Sequence, residues 1–507
     1  MILTIPEYVT RNQQVIHLSK IPVLRYFQFE EKIKELLQDK FYHCVQYFGV
    51  PQNEGLKVFC CIADDIRHQL HWFSYFIEDL KHFSIPSLTP EFNALHIFER
   101  EIHENYGVNF ENHPWQKPVR FAFDRHDRNL LVKDYPFYRI ESDQLHEVGV
   151  GPIHAGVIEP GHFRFICNGE MVLHLEIQLG WQHRGIEKLM LEKTKLLQRN
   201  ILAESIAGDT VIGHAWAFAA NLEALNGIEV PRRLLVERTI ALEMERIAMH
   251  IFDMSNLCVG IAYQLGASVF GALRTPLINY FQTWCGNRFG KGLIRVGGTH
   301  YPFTPELAEK LKKLLDDFSV QYEAMADRSL TLPSLLNRFE GIGTLTQKQV
   351  RLIGAVGVTA KMADLKRDVR WSHPIGAYHK FQPIVQKEGD VLARYVMRRQ
   401  EITQSIALIK ELMKELEQLP IQKRTPIKDA DLKLKPSSIV TSLIEGWRGE
   451  IAHTIVTDEE GKIQHYKIKD PSFHNWTALA LSLRNLEISD FPINNKSYDL
   501  SYCGHDL

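Results

Sequence analysis

Gly151-Pro-Ile-His-Ala-Gly-Val-Ile-Glu-Pro-Gly-His-Phe-Arg-Phe165 and, further on, Gly180-Trp-Gln-His-Arg-Gly-Ile-Glu-Lys-Leu189 are the stretches on which the fold of this chain turns. Gly151-Pro152 and Glu159-Pro-Gly161 have the composition of turns. Phe163, Phe165 and Cys167 then alternate before Asn168-Gly169, a strong hairpin-turn signal, so short strands are expected around Gly161–Ile177. Taken alone, His183-Arg-Gly-Ile-Glu187 reads as the start of a helix with Glu187 exposed.

C-terminal to these stretches the chain is mainly helical in pattern. Over Pro231–Phe252, Val236, Ile240, Met244, Ile247 and Ile251 recur at three- and four-residue spacing and share one helix face. Pro231 suits the first turn, where its missing amide hydrogen costs nothing. Val391–Leu416 describes a second long amphipathic helix, and Thr304-Pro305 introduces a third running to about Ala326. Ile247–Leu273 contains His250, Asp253, Asn256 and Gln264, so it predicts a buried helix followed by a loop. Strands are expected in Ile451–Ile468 around the turn Glu459-Glu-Gly-Lys.

N-terminal to the deciding stretches, Met1 to about Arg120 alternates runs such as Val45-Gln-Tyr-Phe-Gly-Val and Leu56-Lys-Val-Phe-Cys-Cys-Ile with helical pieces. That pattern predicts a small α+β domain over 1–120. The polar segment 121–147, rich in Asp and Arg and broken at Asp134-Tyr-Pro, reads as a linker or wrapping arm. The remainder, 148–507, forms the second domain.

Composition narrows the classes of function. The 507 residues are 45% hydrophobic and 24% charged, with a formal net charge of −2. A chain so balanced carries no global basic field for nucleic acid or an anionic membrane. Its seven cysteines, irregularly spaced and without a Cys-x-x-Cys pair, suit free thiols rather than a disulfide framework. The start, Met1-Ile-Leu-Thr-Ile-Pro-Glu, lacks the pattern of a signal peptide, and no window reaches the roughly 18 apolar residues of a spanning helix.

Three motifs carry a family resemblance. Phe98-Glu-Arg-Glu-Ile-His-Glu-Asn-Tyr-Gly-Val-Asn-Phe-Glu-Asn-His-Pro resembles the signature of the 30-kDa-type subunit of complex I. The stretches from Gly151 and Gly180 resemble the opening of the large subunit of group 4 hydrogenases and of the 49-kDa-type subunit of complex I. Asp368-Val-Arg-Trp-Ser-His-Pro, Glu445-Gly-Trp-Arg-Gly-Glu and Asp470-Pro-Ser-Phe-His-Asn-Trp resemble later parts of that subunit. The order is that of the fused large subunits of the formate-hydrogenlyase and hydrogenase-4 type. The resemblance implies an α+β chain: a 30-kDa-type domain, then a mainly helical hydrogenase-like domain with small edge sheets.

The same resemblance exposes departures. A nickel–iron hydrogenase holds its metals with four thiolates, which soft, electron-rich metals require. Placing His214 on the family histidine makes Ala207 and Thr210 the early ligand positions, and Asp499 makes Ser501 and Gly504 the late ones. All four thiolates are missing, Cys503 falls one place short, and no C-terminal extension of the kind cleaved after metal insertion is evident. In complex I the corresponding cavity binds a quinone headgroup through a histidine and a tyrosine. His162 matches the histidine, whereas Gly208 stands at the tyrosine position.

From this follow the candidate residues. His162, Asp209 and Glu187 are expected to supply protons to a quinone. His154, Arg184, His214, Asp499 and His505 are further quinone or proton-relay candidates, because histidines titrate near neutrality and burial can shift carboxylates toward it. Satisfied core polar groups inherited from an ancestral site are the plain alternative. No metal and no tightly bound cofactor is expected in this chain. Electrons would come from a 4Fe–4S cluster in an iron–sulfur small subunit of the 20-kDa type. NAD(H) would be handled elsewhere in the complex, since no Gly-x-Gly-x-x-Gly unit occurs here. Antiporter-like and quinone-channel-type membrane subunits would be the other partners, placing the chain peripherally on the cytoplasmic side of the membrane. The rival reading is a non-catalytic scaffold or coupling subunit.

Overall fold

The computed structural model describes residues 5–53, 55–80, 84–155, 158–421 and 425–507. Tyr42–Gln52, Gly55–Asp64 and Gln69–Ile77 form an antiparallel meander. Its outer strand Gln69–Ile77 also pairs with Tyr8–Thr10 (antiparallel) and Val23–Leu24 (parallel). Successive strand side chains point to opposite faces, and here both faces are covered. One packs Tyr47, Val58, Phe73 and Tyr75 against Phe29 and Ile33 of the helix Tyr26–Leu37 and Phe98 and Ile102 of the helix His96–Tyr106. The other packs Val45, Phe48, Phe59 and Trp72 against Ile439, Leu443, Ala452 and Val456 from the far end of the chain. Burial on both faces is why Leu56-Lys-Val-Phe-Cys-Cys-Ile reads as a nearly continuous apolar run.

That far end is the antiparallel sheet of Ser438–Glu445, Glu450–Thr457 and Ile463–Lys469, to which Ile16–His17 adds a fourth strand. The N-terminal and C-terminal segments thus share both a core and a sheet. The predicted hairpin is present as His162–Asn168 and Met171–Gln178, joined by His146–Val150 as a third strand. Phe163 and Phe165 bury on its inner face with Trp476, Phe491 and Tyr502.

The helical core is built on Val211–Asn226, Arg232–Gly260 and Val391–Gln418. Val211–Asn226 is apolar almost all round, so it sits wholly inside, with Ser438–Glu445 against it. The third expected helix runs Pro305–Ser329, capped by Thr304, whose hydroxyl accepts from the Leu307 amide at 3.3 Å. Ile247–Leu273 departs from the expected helix and loop. The helix stops at Gly260, the chain turns through Ala262 at φ 57°, and a new helix occupies Gln264–Cys285. Its inward face, including Phe270, Leu277 and Phe281, supplies the apolar stripe that a loop would lack. Among the described residues no helix is long and apolar enough to cross a membrane.

Candidate functional site

The Glu-Arg-Glu signature is architectural. Glu99 accepts from the Leu88 amide at 2.8 Å and from the hydroxyls of Ser87 and Thr89 at 2.5 and 2.7 Å. Arg100 donates to the carbonyls of Lys117 and Pro118, both at 2.7 Å. Glu104 accepts the amides of Val119, Arg120 and Phe121. Glu101 pairs with Arg120 and with Lys467, the latter at 2.6 Å. Arg120 in turn donates to the His505 carbonyl at 2.7 Å. This short stretch of helix therefore pins the arm and, through it, the C-terminal segment.

The C-terminal helices Ser472–Ser482, Phe491–Tyr498 and Tyr502–Asp506 fold back so that Ser501–His505 lies beside the loop before Val211. Between them is a cleft of about 330 Å³ whose polar wall is Glu159, Gly208, Asp209, Arg274, Ser501 and Cys503. Met249, Phe252 and Phe289 supply its apolar wall. Asp209 makes a two-pronged bond with Arg448, 2.7 Å on each side. Arg448 lies flat over Trp447 at 3.9 Å, donates to the Asp499 backbone carbonyl and keeps the Asp499 carboxylate within 3.8 Å. Burial acts most strongly on Asp209 and would raise its pKa, but Arg448 outweighs it and holds the carboxyl below its ordinary range. Cys503 differs: burial and the neighbouring Glu159 push its thiol up to about 12, so it stays protonated.

The other sequence candidates occupy distinct places. His162 donates its Nδ1–H to the Gly151 carbonyl, 3.0 Å away, and its ring meets Phe137 edge-on. His154 bonds the Gly161 carbonyl through Nε2 at 2.9 Å. These two histidines brace the loop that carries Glu159 to the cleft, and neither belongs to the cleft wall. Glu187 stands in the first turn of Ile186–Glu192 and accepts from Lys467 at 3.0 Å and the Ile468 amide at 2.8 Å. Burial is the largest influence on it and acts upward, yet Lys467 and Arg120 hold it low. It lines a separate cavity of about 570 Å³. Arg184 binds the carbonyls of Ser205, Ile206 and Cys503 and so ties the two halves of the cleft together. His505 is buried, bonded to Asp506 at 2.9 Å, and burial lowers its pKa.

His214 is fully buried, with Asp470 Oδ2 on Nε2 and His453 Nε2 on Nδ1, each at 3.0 Å. Asp470, His453, Arg448 and Glu159 were not singled out from the sequence. Glu159 and Arg448 stand inside the quoted motifs and were legible there, whereas no local pattern marks Arg274 or His453.

Of the four positions that the resemblance matches to metal ligands, Ala207 and Thr210 are buried, and Ser501 caps the last helix by accepting from the Gly504 amide at 2.9 Å. A Cβ added at Gly504 would stand 2.7–2.9 Å from the Asp470 carboxyl group. Gly504→Cys should therefore be destabilising by about 1–3 kcal/mol through overpacking. In an Asp470→Ala background the same change should cost much less, which a double-mutant cycle in thermal unfolding reads out. A lone Gly504→Cys as stable as the parent would show that Asp470 is free to move aside. Among the described residues no group of three or more His, Cys, Asp or Glu side chains is arranged to hold a metal ion.

A meander covered by two helices on one face and by the C-terminal sheet of a helical body on the other, with the two ends of that body converging on one cleft, defines the class. The family described as respiratory-chain NADH dehydrogenase, 30 Kd subunit, matches residues 25–138, and the corresponding 49 Kd subunit family matches 267–506. The chain belongs to the complex I and hydrogenase-related large subunits in which these two parts are fused. It is similar to hydrogenase-4 component G of Escherichia coli, 26% identical over 436 residues, 82% of this chain and 75% of that protein. Formate hydrogenlyase subunit 5 of the same organism is 26% identical over 490 residues, 91% of this chain and 81% of the relative. An NADH-quinone oxidoreductase subunit of Phocaeicola vulgatus is 25% identical over 443 residues, 80% of this chain and 83% of the relative.

Proposed function

We propose that this chain is the quinone-reducing peripheral subunit of a membrane-associated, ion-translocating oxidoreductase, and that it works without a nickel–iron centre. The observation that carries the reading is the chemistry of the cleft. Methyl, hydroxyl and hydrogen stand where four soft thiolates would be needed, and the one nearby thiol, Cys503, stays protonated. The donor set does not fit the metal pair. What the cleft keeps is an apolar wall, the carboxylates Glu159 and Asp209, and the cation Arg274. Such a mixture suits a flat, uncharged headgroup that takes up two electrons and two protons.

In this reading electrons arrive from a 4Fe–4S cluster in an iron–sulfur small subunit. Glu159 and Asp209, the latter held ionised by Arg448, are the relay groups in reach, each taking up a proton before passing it on, and Glu187 and His162 act at one remove through the helix and loop they brace. The chain sits on the cytoplasmic side of the membrane, above antiporter-like and quinone-channel-type subunits, and NAD(H) chemistry lies elsewhere in the assembly. The names of the relatives, components and subunits of larger oxidoreductases, support a multisubunit setting.

One observation favours the rival reading of a scaffold or coupling subunit: Gly208 offers no phenol to a quinone. Photo-crosslinking of a quinone analogue to the native membrane complex decides between them. Label within Gly151–Arg164 or Gly208–His214, competed by natural quinone, is the expected result. Absence of specific label in a complex that still moves ions would retire quinone reduction here and leave the coupling role.

A further inference from the structure

Behind the cleft lies an unbroken line of four buried side chains. Asp470 Oδ2 meets His214 Nε2 at 3.0 Å, His214 Nδ1 meets His453 Nε2 at 3.0 Å, and His453 Nδ1 meets the Tyr466 hydroxyl at 2.8 Å. All four are at most 1% exposed. At one end, Asp470 fills the space that a side chain at Gly504 would take, at the late ligand position beside the cleft. At the other, Tyr466 belongs to the wall of the separate 570 Å³ cavity, with Gln464, His465 and Lys467.

With both imidazoles neutral, the donors and acceptors along this line have one self-consistent assignment. An ionised carboxylate only accepts, so His214 carries its proton on Nε2 and leaves Nδ1 bare. Nδ1 then accepts from His453 Nε2–H, and the bare Nδ1 of His453 accepts the Tyr466 hydroxyl proton. Two observations support the charge states this requires. The His214 bond and Arg448 hold Asp470 low, although burial, the largest influence, acts the other way. Burial, the largest influence, pulls the pKa of His453 far down and keeps it neutral. Every hydrogen bond points the same way, from Tyr466 toward Asp470.

We infer that Tyr466, His453, His214 and Asp470 form a directional proton conduit joining the 570 Å³ cavity to the cleft. In one pass Tyr466 gives its hydroxyl proton to His453 Nδ1, His453 gives its Nε2 proton to His214 Nδ1, and His214 gives its Nε2 proton to Asp470. Water in the outer cavity re-protonates Tyr466 and leaves as hydroxide, so the net change is one proton moved from that water to the Asp470 carboxyl, with no oxidant or reductant. The two imidazoles finish in the opposite tautomer and must reset before the next pass, which makes the path gated. This role deepens the proton-consuming reaction proposed above and rests on it, but the conduit can be tested without that reaction.

In the purified full-length chain, the hydrogen-bonded imidazole protons of His214 and His453 should give far-downfield proton NMR signals, identified by their loss in His453→Gln. Their exchange into D₂O is the measurement. Tyr466→Phe removes the entry hydroxyl while keeping the ring that stacks on Phe218. A conduit loses its entry and should exchange about 10-fold or more slowly, the scale of a lost proton-transfer group. A network that is only structural exchanges through local opening, which the loss of a bond makes easier. Exchange that is unchanged or faster in Tyr466→Phe overturns the inference. Because no quinone is involved, failure here is separate from failure of the photo-crosslinking.

Discussion

Lys361→Met should cost the fold about 3–5 kcal/mol, the scale for removing one partner from a buried ion pair. Lys361 is 1% exposed and lies 2.7 Å from Asp368, 2.6 Å from Glu401 and 3.6 Å from Glu445. Around it, Arg370 holds Asp368 at 2.7 Å and Glu243 at 3.2 Å, while Arg246 reaches Glu243 at 3.2 Å and Glu401 at 3.5 Å. Glu243, Asp368 and Glu401 are all held low, so three anions face three cations, and burial keeps His250 neutral by pulling it down to about 4. Methionine retains the length and most of the volume of the lysine stem, so the change removes charge rather than packing. The cluster is then left with an uncompensated negative charge away from water, which is the costly half of any buried pair. Urea unfolding followed by tryptophan fluorescence is the measurement, since Trp447 meets His250 edge-on at 6.0 Å and reports on this region. A loss under about 1 kcal/mol would mean that a neighbouring carboxyl takes up a proton and restores neutrality.

The second large effect is on pH dependence and belongs to Glu445. Burial, aided by Asp368 and opposed by Lys361 and Arg370, pushes its carboxyl up to about 8. One oxygen accepts the Val369 amide at 2.9 Å, and the other makes no hydrogen bond among the described residues. Between the ordinary carboxylate value of about 4.3 and about 8, the folded protein keeps a proton that the unfolded chain has released. Stability from this group is fully present below the lower value and is lost as pH rises through the upper one, at up to about 1.4 kcal/mol per pH unit. Glu445→Gln has no proton to lose. Its stability relative to the parent should therefore climb steadily between about pH 5 and 8 and level off above. Glu245, raised to about 8, and Glu237, raised to about 7, bend both curves alike and cancel in the difference. Parallel curves for parent and variant would mean that Glu445 is already ionised in the fold, paired with Lys361.

The amino-acid sequence was sufficient for the elements and for the family. Three- and four-residue spacing placed Val391–Gln418 and Arg232–Gly260 within a few residues of their observed N-terminal ends, and Asn168-Gly169 after an alternating run located the hairpin. The Glu-Arg-Glu motif and the later motifs beginning at Asp368, Glu445 and Asp470 lie inside the two matched family regions and identified the fusion. These signals are local, and local geometry is what a short stretch of sequence encodes.

What only the tertiary structure decided was which polar groups face one another. Asp209 and Arg448 lie far apart in the chain, and His214 meets Asp470 and His453 across two elements. No periodicity records such pairings, because they depend on how the C-terminal sheet packs on Val211–Asn226. For the same reason the motif does not record that His162 bonds the Gly151 carbonyl of its own loop, or that Glu159 on that loop reaches the cleft. A strand alternates its side chains between two faces, so a residue's motif position sets its type, but the packed neighbours set what it can touch.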